Sequence, residues 1–164
     1  MTEPTYSSTI AGWREWVGLP DIGIPWIKAK LDTGARSSAL HAFDVEEFVG
    51  EDGADFVRFQ VRPWQHTDNG AITVECPVHD RRSVRSSSGH SEERIVVLID
   101  VQFFGRTVTA ETTLSNRDQM GFRMLIGREA LRQGFLVDSD KSFLGGRAPQ
   151  EIRRRNRGRD EAAR

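Results

Sequence analysis

The sequence predicts a small all-β, barrel-like domain with one short helix near the C-terminal end. Three observations carry this. Apolar residues alternate with polar ones or run in blocks of roughly five to eight, the length of strands rather than of buried helices. Gly, Pro, Asn and Asp break those blocks at short intervals. Only Arg128 to Gln133 reads as helix, and Gly134 stands where a helix commonly ends in a left-handed residue.

Taken in order, residues 1–11 are polar and are expected to lack structure. Gly12 to Leu19 reads as a strand anchored by Trp13 and Trp16, and Pro20-Asp21-Ile22-Gly23 as a turn. Ile24 to Leu31 is an apolar strand, with Pro25 near its start where proline is tolerated. Arg36 to Phe43 continues extended or starts with a short turn, and Asp44 to Val49 is ambiguous. Asp55 to Arg62 and Ala71 to Val78 alternate as two strands, and Asp68-Asn69-Gly70 between them signals a hairpin. Asp80 to Glu93 is poor in apolar residues and is expected to protrude. Arg94 to Phe104 and the β-branched run Thr107 to Leu114 are strands joined at Gly105-Arg106. Ser115 to Gly121 is a loop. Arg123 to Ile126, Phe135 to Asp138 and Ser142 to Leu144 complete a set of eight or nine strands. The folded domain is expected to span 12–146, followed by a basic, disordered tail over 147–164.

Composition sets the outer limits. A chain of 164 residues suits one domain, and a chain near this length buries about 70% of its unfolded surface. No apolar run approaches the ~20 residues of a membrane helix, and the polar N-terminus lacks the basic and apolar regions of a secretory signal. The one cysteine, Cys76, excludes an internal disulfide and fits a reducing compartment. A cytoplasmic protein without a membrane partner is expected. Residues 147–164 hold seven Arg against Glu151, Asp160 and Glu161, a net +4 that leaves −5 on residues 1–146. An acidic body with a short basic tail is not expected to bind nucleic acid directly.

The chemistry concentrates in Lys30-Leu31-Asp32-Thr33-Gly34-Ala35-Arg36-Ser37-Ser38-Ala39. An apolar strand delivers the Asp32 carboxylate to a loop where Gly34 permits a sharp turn and Thr33 offers a hydroxyl that can lock the loop. Asp-Thr-Gly alone also reads as an ordinary turn. About 90 residues later comes Met124-Leu125-Ile126-Gly127-Arg128-Glu129-Ala130-Leu131, an apolar strand ending in Gly-Arg before the short helix.

The early Asp-Thr-Gly-Ala and the late apolar-apolar-Gly-Arg together resemble the retropepsin-like aspartic peptidases. Gly12-Trp13-Arg14-Glu15-Trp16-Val17, the stretch Lys28 to Ala42, and Ser86-Ser87-Ser88-Gly89-His90-Ser91-Glu92-Glu93-Arg94 narrow the resemblance to the bacterial RimB-type family. That family is found beside RimK-type glutamate ligases and is often labelled an ATP-dependent zinc protease.

The resemblance implies a closed retropepsin-like barrel and catalysis by Asp32, Thr33 and Gly34. The chain has a single Asp-Thr-Gly, so a pair of carboxylates requires a homodimer with Asp32 contributed by each copy. Thr33 would interlock the two loops, Gly34 would admit substrate backbone, and Ile126-Gly127 would lie beneath with Arg128 as a brace. Arg85-Ser86-Ser87-Ser88-Gly89-His90 stands where retropepsins carry a flap. Arg36, Ser37, Arg85, Ser86, Ser87, Ser88, Gly89 and Arg128 are therefore the candidate substrate-binding residues. Arg36 departs from the retroviral pattern, where an acid follows the Ala. Either Glu129 or another acid neutralises it, or it faces the cleft as a carboxylate receptor. Lys28, Lys30, Arg81, Arg82, Arg85 and Arg94 add positive charge near the site and point to an anionic substrate.

The family context implies an acidic or polyglutamylated peptide, such as glutamate tails on a small-subunit ribosomal protein, with a RimK-type ligase as a further partner. A non-catalytic module that binds such tails or regulates the ligase is the alternative. No His-Glu-x-x-His occurs, and Cys76-Pro77-Val78-His79 offers two ligands where structural zinc takes four. No phosphate-binding Gly-rich loop occurs. No metal and no cofactor are expected.

Overall fold

The computed structural model describes residues 8–64, 70–85, 89–115 and 121–158. Its strands are β1 (Thr9–Gly12), β2 (Arg14–Leu19), β3 (Ile24–Asp32), β4 (Ser38–His41), β5 (Phe43–Val49) and β6 (Asp55–Val61). β7 (Ile72–Pro77), β8 (Asp80–Arg85), β9 (Ser91–Phe103), β10 (Arg106–Ser115), β11 (Met124–Gly127) and β12 (Phe135–Asp138) follow. Helix α1 (Arg128–Leu131) lies between β11 and β12, and α2 (Gln150–Asn156) comes last.

Seven strands pair in the order β10-β4-β11-β3-β2-β9-β8, and β10 also pairs with β9, so six of them close into a ring. β5-β6-β7 form a separate antiparallel sheet, and β1 runs parallel to β12. The all-β expectation and the retropepsin-like class hold. The period-2 rule places the side chains. On β3, Ile27, Ala29 and Leu31 are buried, while Lys28, Lys30 and Asp32 share the other, half-exposed face. Val57, Phe59, Val61 and Val74 of the small sheet join one core with Ile27, Ile99 and Ile126 of the ring. Each such side chain, fully buried, contributes about 1.5–3 kcal/mol.

Several elements differ from the expectation, and in each case a distant partner is the reason. Thr9 to Ala11 are not irregular. They pair with Phe135 to Val137, and Arg106 ties the start of β1 down through Thr9 Oγ1 (3.2 Å) and the Gly134 carbonyl (2.9 Å). The stretch Gly12 to Leu19 is two strands, broken at Trp13, whose N–H donates to Lys141 O and whose carbonyl accepts from Leu31 N. Asp80 to Glu93 does not merely protrude. β8 pairs with β9 from Arg85↔Ser91 to Asp80↔Val96, forming a hairpin. Ser142 to Leu144 is a turn, with Phe143 at φ 56°. The described residues hold twelve strands rather than eight or nine, and a second helix forms inside the stretch 147–164. That helix buries Asn156 and sets Arg155 over the Trp64 ring at 5.4 Å. Asp68 and Asn69 of the hairpin signal lie outside the described residues, but β6 and β7 pair antiparallel across them.

Glu15 explains the turn at 142–145. It is fully buried, and its carboxylate accepts the backbone N–H groups of Gly12 (2.6 Å), Leu144 (3.0 Å) and Gly145 (3.0 Å). Gly12 has no room for a side chain, since a Cβ there would stand 2.5 Å from Lys141 O. A buried acid in a strand is tolerated only with such partners.

Glu15→Ala strands three amides and is expected to destabilise the fold by about 2–4 kcal/mol, read from the urea midpoint. Burial pushes the Cys76 thiol up to about 11. Its alkylation at neutral pH should run about a hundredfold slower than that of an exposed thiol, which a timed labelling assay measures.

Candidate active site

β3 delivers Asp32, and β11 fixes where that strand ends. The two run parallel with Ile126 opposite Leu31 and Gly127 opposite Asp32. Beyond Asp32 the chain folds back across the end of β11. A Cβ on Gly127 would lie 2.5 Å from the Ser37 carbonyl oxygen, so only glycine allows this crossing. Gly127 N–H donates to Ser38 Oγ (3.1 Å), Arg128 N–H to Ala35 O (2.8 Å) and Glu129 N–H to Arg36 O (3.1 Å). The Arg128 guanidinium donates to Gly34 O (3.3 Å). The first turn of α1 thus holds the loop from outside, and Arg128 acts as a brace.

Within the loop, Gly34 N–H donates to Asp32 Oδ1 (2.9 Å) and Ala35 N–H to the Asp32 carbonyl (3.2 Å). One carboxylate oxygen is oriented by an amide, while Asp32 remains half exposed and Thr33 and Gly34 are exposed. The carboxylate is presented at the surface of the monomer rather than sealed inside it.

Arg36 pairs with Glu129 at 3.3 Å, the first of the two arrangements expected for it, and its side chain stays 69% exposed. Ser37 Oγ accepts from Arg82 at 3.1 Å. Arg82 stands on β8, at the base of the β8–β9 hairpin, and also holds Glu111 (3.0 Å) and Asp80 (2.9 Å). His79 Nε2 approaches the other Glu111 oxygen at 3.4 Å. Arg82, through its hydrogen bond, holds the Glu111 carboxyl below its usual range and does the same for Asp80, helped there by the Arg81 amide. This network fastens the hairpin to the loop beside Asp32. Sequence reasoning counted Arg82 only as local charge and missed Glu111. The one available signal was that Glu111 is the only charge in the run Thr107 to Leu114.

Of the hairpin tip, Gly89 has φ 86°. Ser86, Ser87 and Ser88 lie outside the described residues, and Arg85 is placed by its backbone pairing to Ser91. The expected concentration of free positive charge around the site needs correction. Arg81 contacts Glu47 and Asp55, Arg82 contacts Glu111 and Asp80, and Arg94 contacts Glu92. Lys28 sits among aromatic rings near α2. Glu47, Asp55 and Glu111 come from other strands, invisible to a linear reading, while Asp80 and Glu92 lie two residues from the arginines they meet. The described residues contain no group of three or more His, Cys, Asp or Glu arranged to hold a metal ion.

A model of the RimB-like family, described as retropepsin-like aspartic endopeptidase RimB, matches residues 10–148. The chain belongs to this family. Among curated relatives of this RimB-like chain, a probable alpha-L-glutamate ligase of Shewanella pealeana is 42% identical over 144 residues, 87% of this chain and 31% of the relative. One of Desulfotalea psychrophila is 41% identical over 129 residues, 79% of this chain and 28% of the relative. The chain thus spans about a third of the length of the curated relatives it matches. A crystal structure of a Legionella pneumophila protein of unknown function superposes on the RimB-like fold with a TM-score of 0.70 at 28% identity, covering 84% of this chain and 98% of that one. Among the described residues no helix is long and apolar enough to cross a membrane.

The Arg82 network has a defined pH signature. Because Glu111 titrates lower in the folded chain, its contribution is present above its ordinary value of 4.5 and is lost as pH falls through the folded value. The stability gap between the native protein and Arg82→Ala should therefore shrink steadily as pH drops below 4.5, measured by thermal melts across a pH series.

Proposed function

We propose that this chain is an aspartic peptidase that works as a homodimer and hydrolyses peptide bonds in an acidic, glutamate-rich peptide. The observation that supports it most is the Asp32 loop itself. It is a carboxylate oriented by Gly34, on a loop braced by Arg128, and left half exposed. The β1–β12 sheet offers a contact surface, because Ile10 and Leu136 stand side by side with 55% and 59% of their area exposed. Burying that pair against a second copy is favourable.

Two Asp32 carboxyls brought together share one proton, because close like charges cannot both ionise easily. The ionised one takes a proton from water, whose oxygen then bonds to the scissile carbonyl carbon. The protonated one gives its proton to the carbonyl oxygen. Collapse of the tetrahedral diol breaks the C–N bond, and the amine leaves with a proton returned from the pair. In this reading the β8–β9 hairpin, tied to the Asp32 loop through Arg82 and Ser37, acts as the cover that excludes water.

The preference for an acidic substrate rests on Arg36 and on the relatives' names. An exposed ion pair such as Arg36–Glu129 is worth only about 0.2–1 kcal/mol, so a substrate carboxylate can exchange for Glu129 at low cost. The relatives are named as glutamate ligases, which suits a peptidase that trims glutamate tails, such as those a RimK-type ligase adds to a small-subunit ribosomal protein in the cytoplasm. The same names favour a second reading, a binding module that recognises glutamylated tails or regulates the ligase without cutting.

Asp32→Asn should lower turnover of an oligoglutamyl peptide by at least about a thousandfold while leaving the sedimentation profile of a dimer unchanged. Undiminished turnover would remove Asp32 from the chemistry. A protein that stays monomeric with substrate present and cleaves nothing would favour the binding module.

A further inference from the structure

Five cations without a carboxylate partner among the described residues gather elsewhere. Arg14, Lys28, Arg147, Arg153 and Arg157 line a pocket of about 200 Å³ between β2, β3, the turn that follows β12, and α2. Among the described residues no carboxylate lines it or pairs with these five side chains. Three of them converge on one ring. Arg14 Cζ lies 5.0 Å, Arg147 Cζ 5.1 Å and Lys28 Nζ 5.8 Å from the Phe143 centroid.

This arrangement is built rather than incidental. Phe143 occupies the left-handed backbone region, uncommon for a bulky residue. The Glu15 carboxylate holds it there by taking the next two amides, and Phe143 N–H donates to Arg14 O at 3.0 Å. Helix α2 then brings Arg153 and Arg157 to the pocket's edge. Burial lowers the pKa of Lys28, and Arg14, Arg157 and Arg147 lower it further. Like charges gathered this way repel, and a bound anion relieves the repulsion.

We infer that this pocket is a subsite for the carboxylate side chains of an acidic peptide, seating residues some four positions from the bond presented to Asp32. Lys28, Lys30 and Asp32 share one face of β3. At about 3.3 Å per residue, Lys28 stands ~13 Å from Asp32, the span of about four residues of an extended peptide. Guanidinium forks match carboxylates, and the Phe143 and Trp16 rings offer apolar surface to the methylenes of glutamate. The position of the cut bond rests on the peptidase reading, but carboxylate capture in the pocket does not.

The test is direct binding of hexaglutamate to the Asp32→Asn protein, by calorimetry at low salt, compared with the same protein carrying Arg153→Gln and Arg157→Gln. The double change should weaken binding about tenfold and reduce the peptide-induced rise in melting temperature. The melting temperature without peptide should be unchanged or higher, since two repelling cations are gone. Arg157→Glu alone, on an exposed position, should weaken binding in the same direction. Equal affinity in all three proteins overturns the subsite. Displacement of hexaglutamate by pyrophosphate at a tenfold lower concentration also overturns it, by assigning the pocket to a phosphate ligand. If Asp32→Asn fails to stop cleavage yet the pocket changes still weaken binding, the peptidase reading falls and the subsite stands.

Discussion

The contact between Gly127 and the Ser37 carbonyl is the constraint on which the site depends. Two segments of chain cross there with no space for a side chain. That approach lets the end of β11 and the first turn of α1 take the Ala35, Arg36 and Gly34 carbonyls as acceptors. A loop whose carbonyls are individually occupied cannot drift, and Asp32 inherits that rigidity. The ring of strands matters to the site mainly because it holds β3 and β11 in parallel register at this point.

A second layer of fastening lies outside the loop. Arg82 joins the β8–β9 hairpin to Ser37 and to β10 through Glu111. Glu15 does the equivalent elsewhere, binding the N-terminal strands to the turn before α2. Both are charged side chains used internally, and both are stable only because every formal charge meets a donor or an opposite charge. The cations near α2 lack such partners among the described residues, and this difference separates a structural network from a surface suited to a ligand.

The curated relatives carry the family's segment within a chain about three times as long. Those relatives are named probable alpha-L-glutamate ligases. Hydrolysis and ligation of glutamate share the need to hold carboxylate side chains, whichever way the bond is changed.

The parts of the molecule legible from sequence are those written in neighbouring residues. The apolar alternation of β3 and the Asp32-Thr33-Gly34 turn depend on contacts within a few positions, so pattern and composition reveal them, while the Gly127-Arg128 step shows in the sequence as an apolar run broken by glycine. Strand β1, the break at Trp13, the buried Glu15 and helix α2 are satisfied by partners far along the chain. An acid in a strand reads as an exposed position until Leu144 and Gly145 are seen donating to it, and an Arg-rich terminus reads as a solvated tail until Asn156 is found buried. The residues by themselves determined the class of fold, the family and the acid at its centre. Only the tertiary structure decided which arginines are neutralised and which remain to meet a ligand, because charge pairing is set by distance in space and not by separation in sequence.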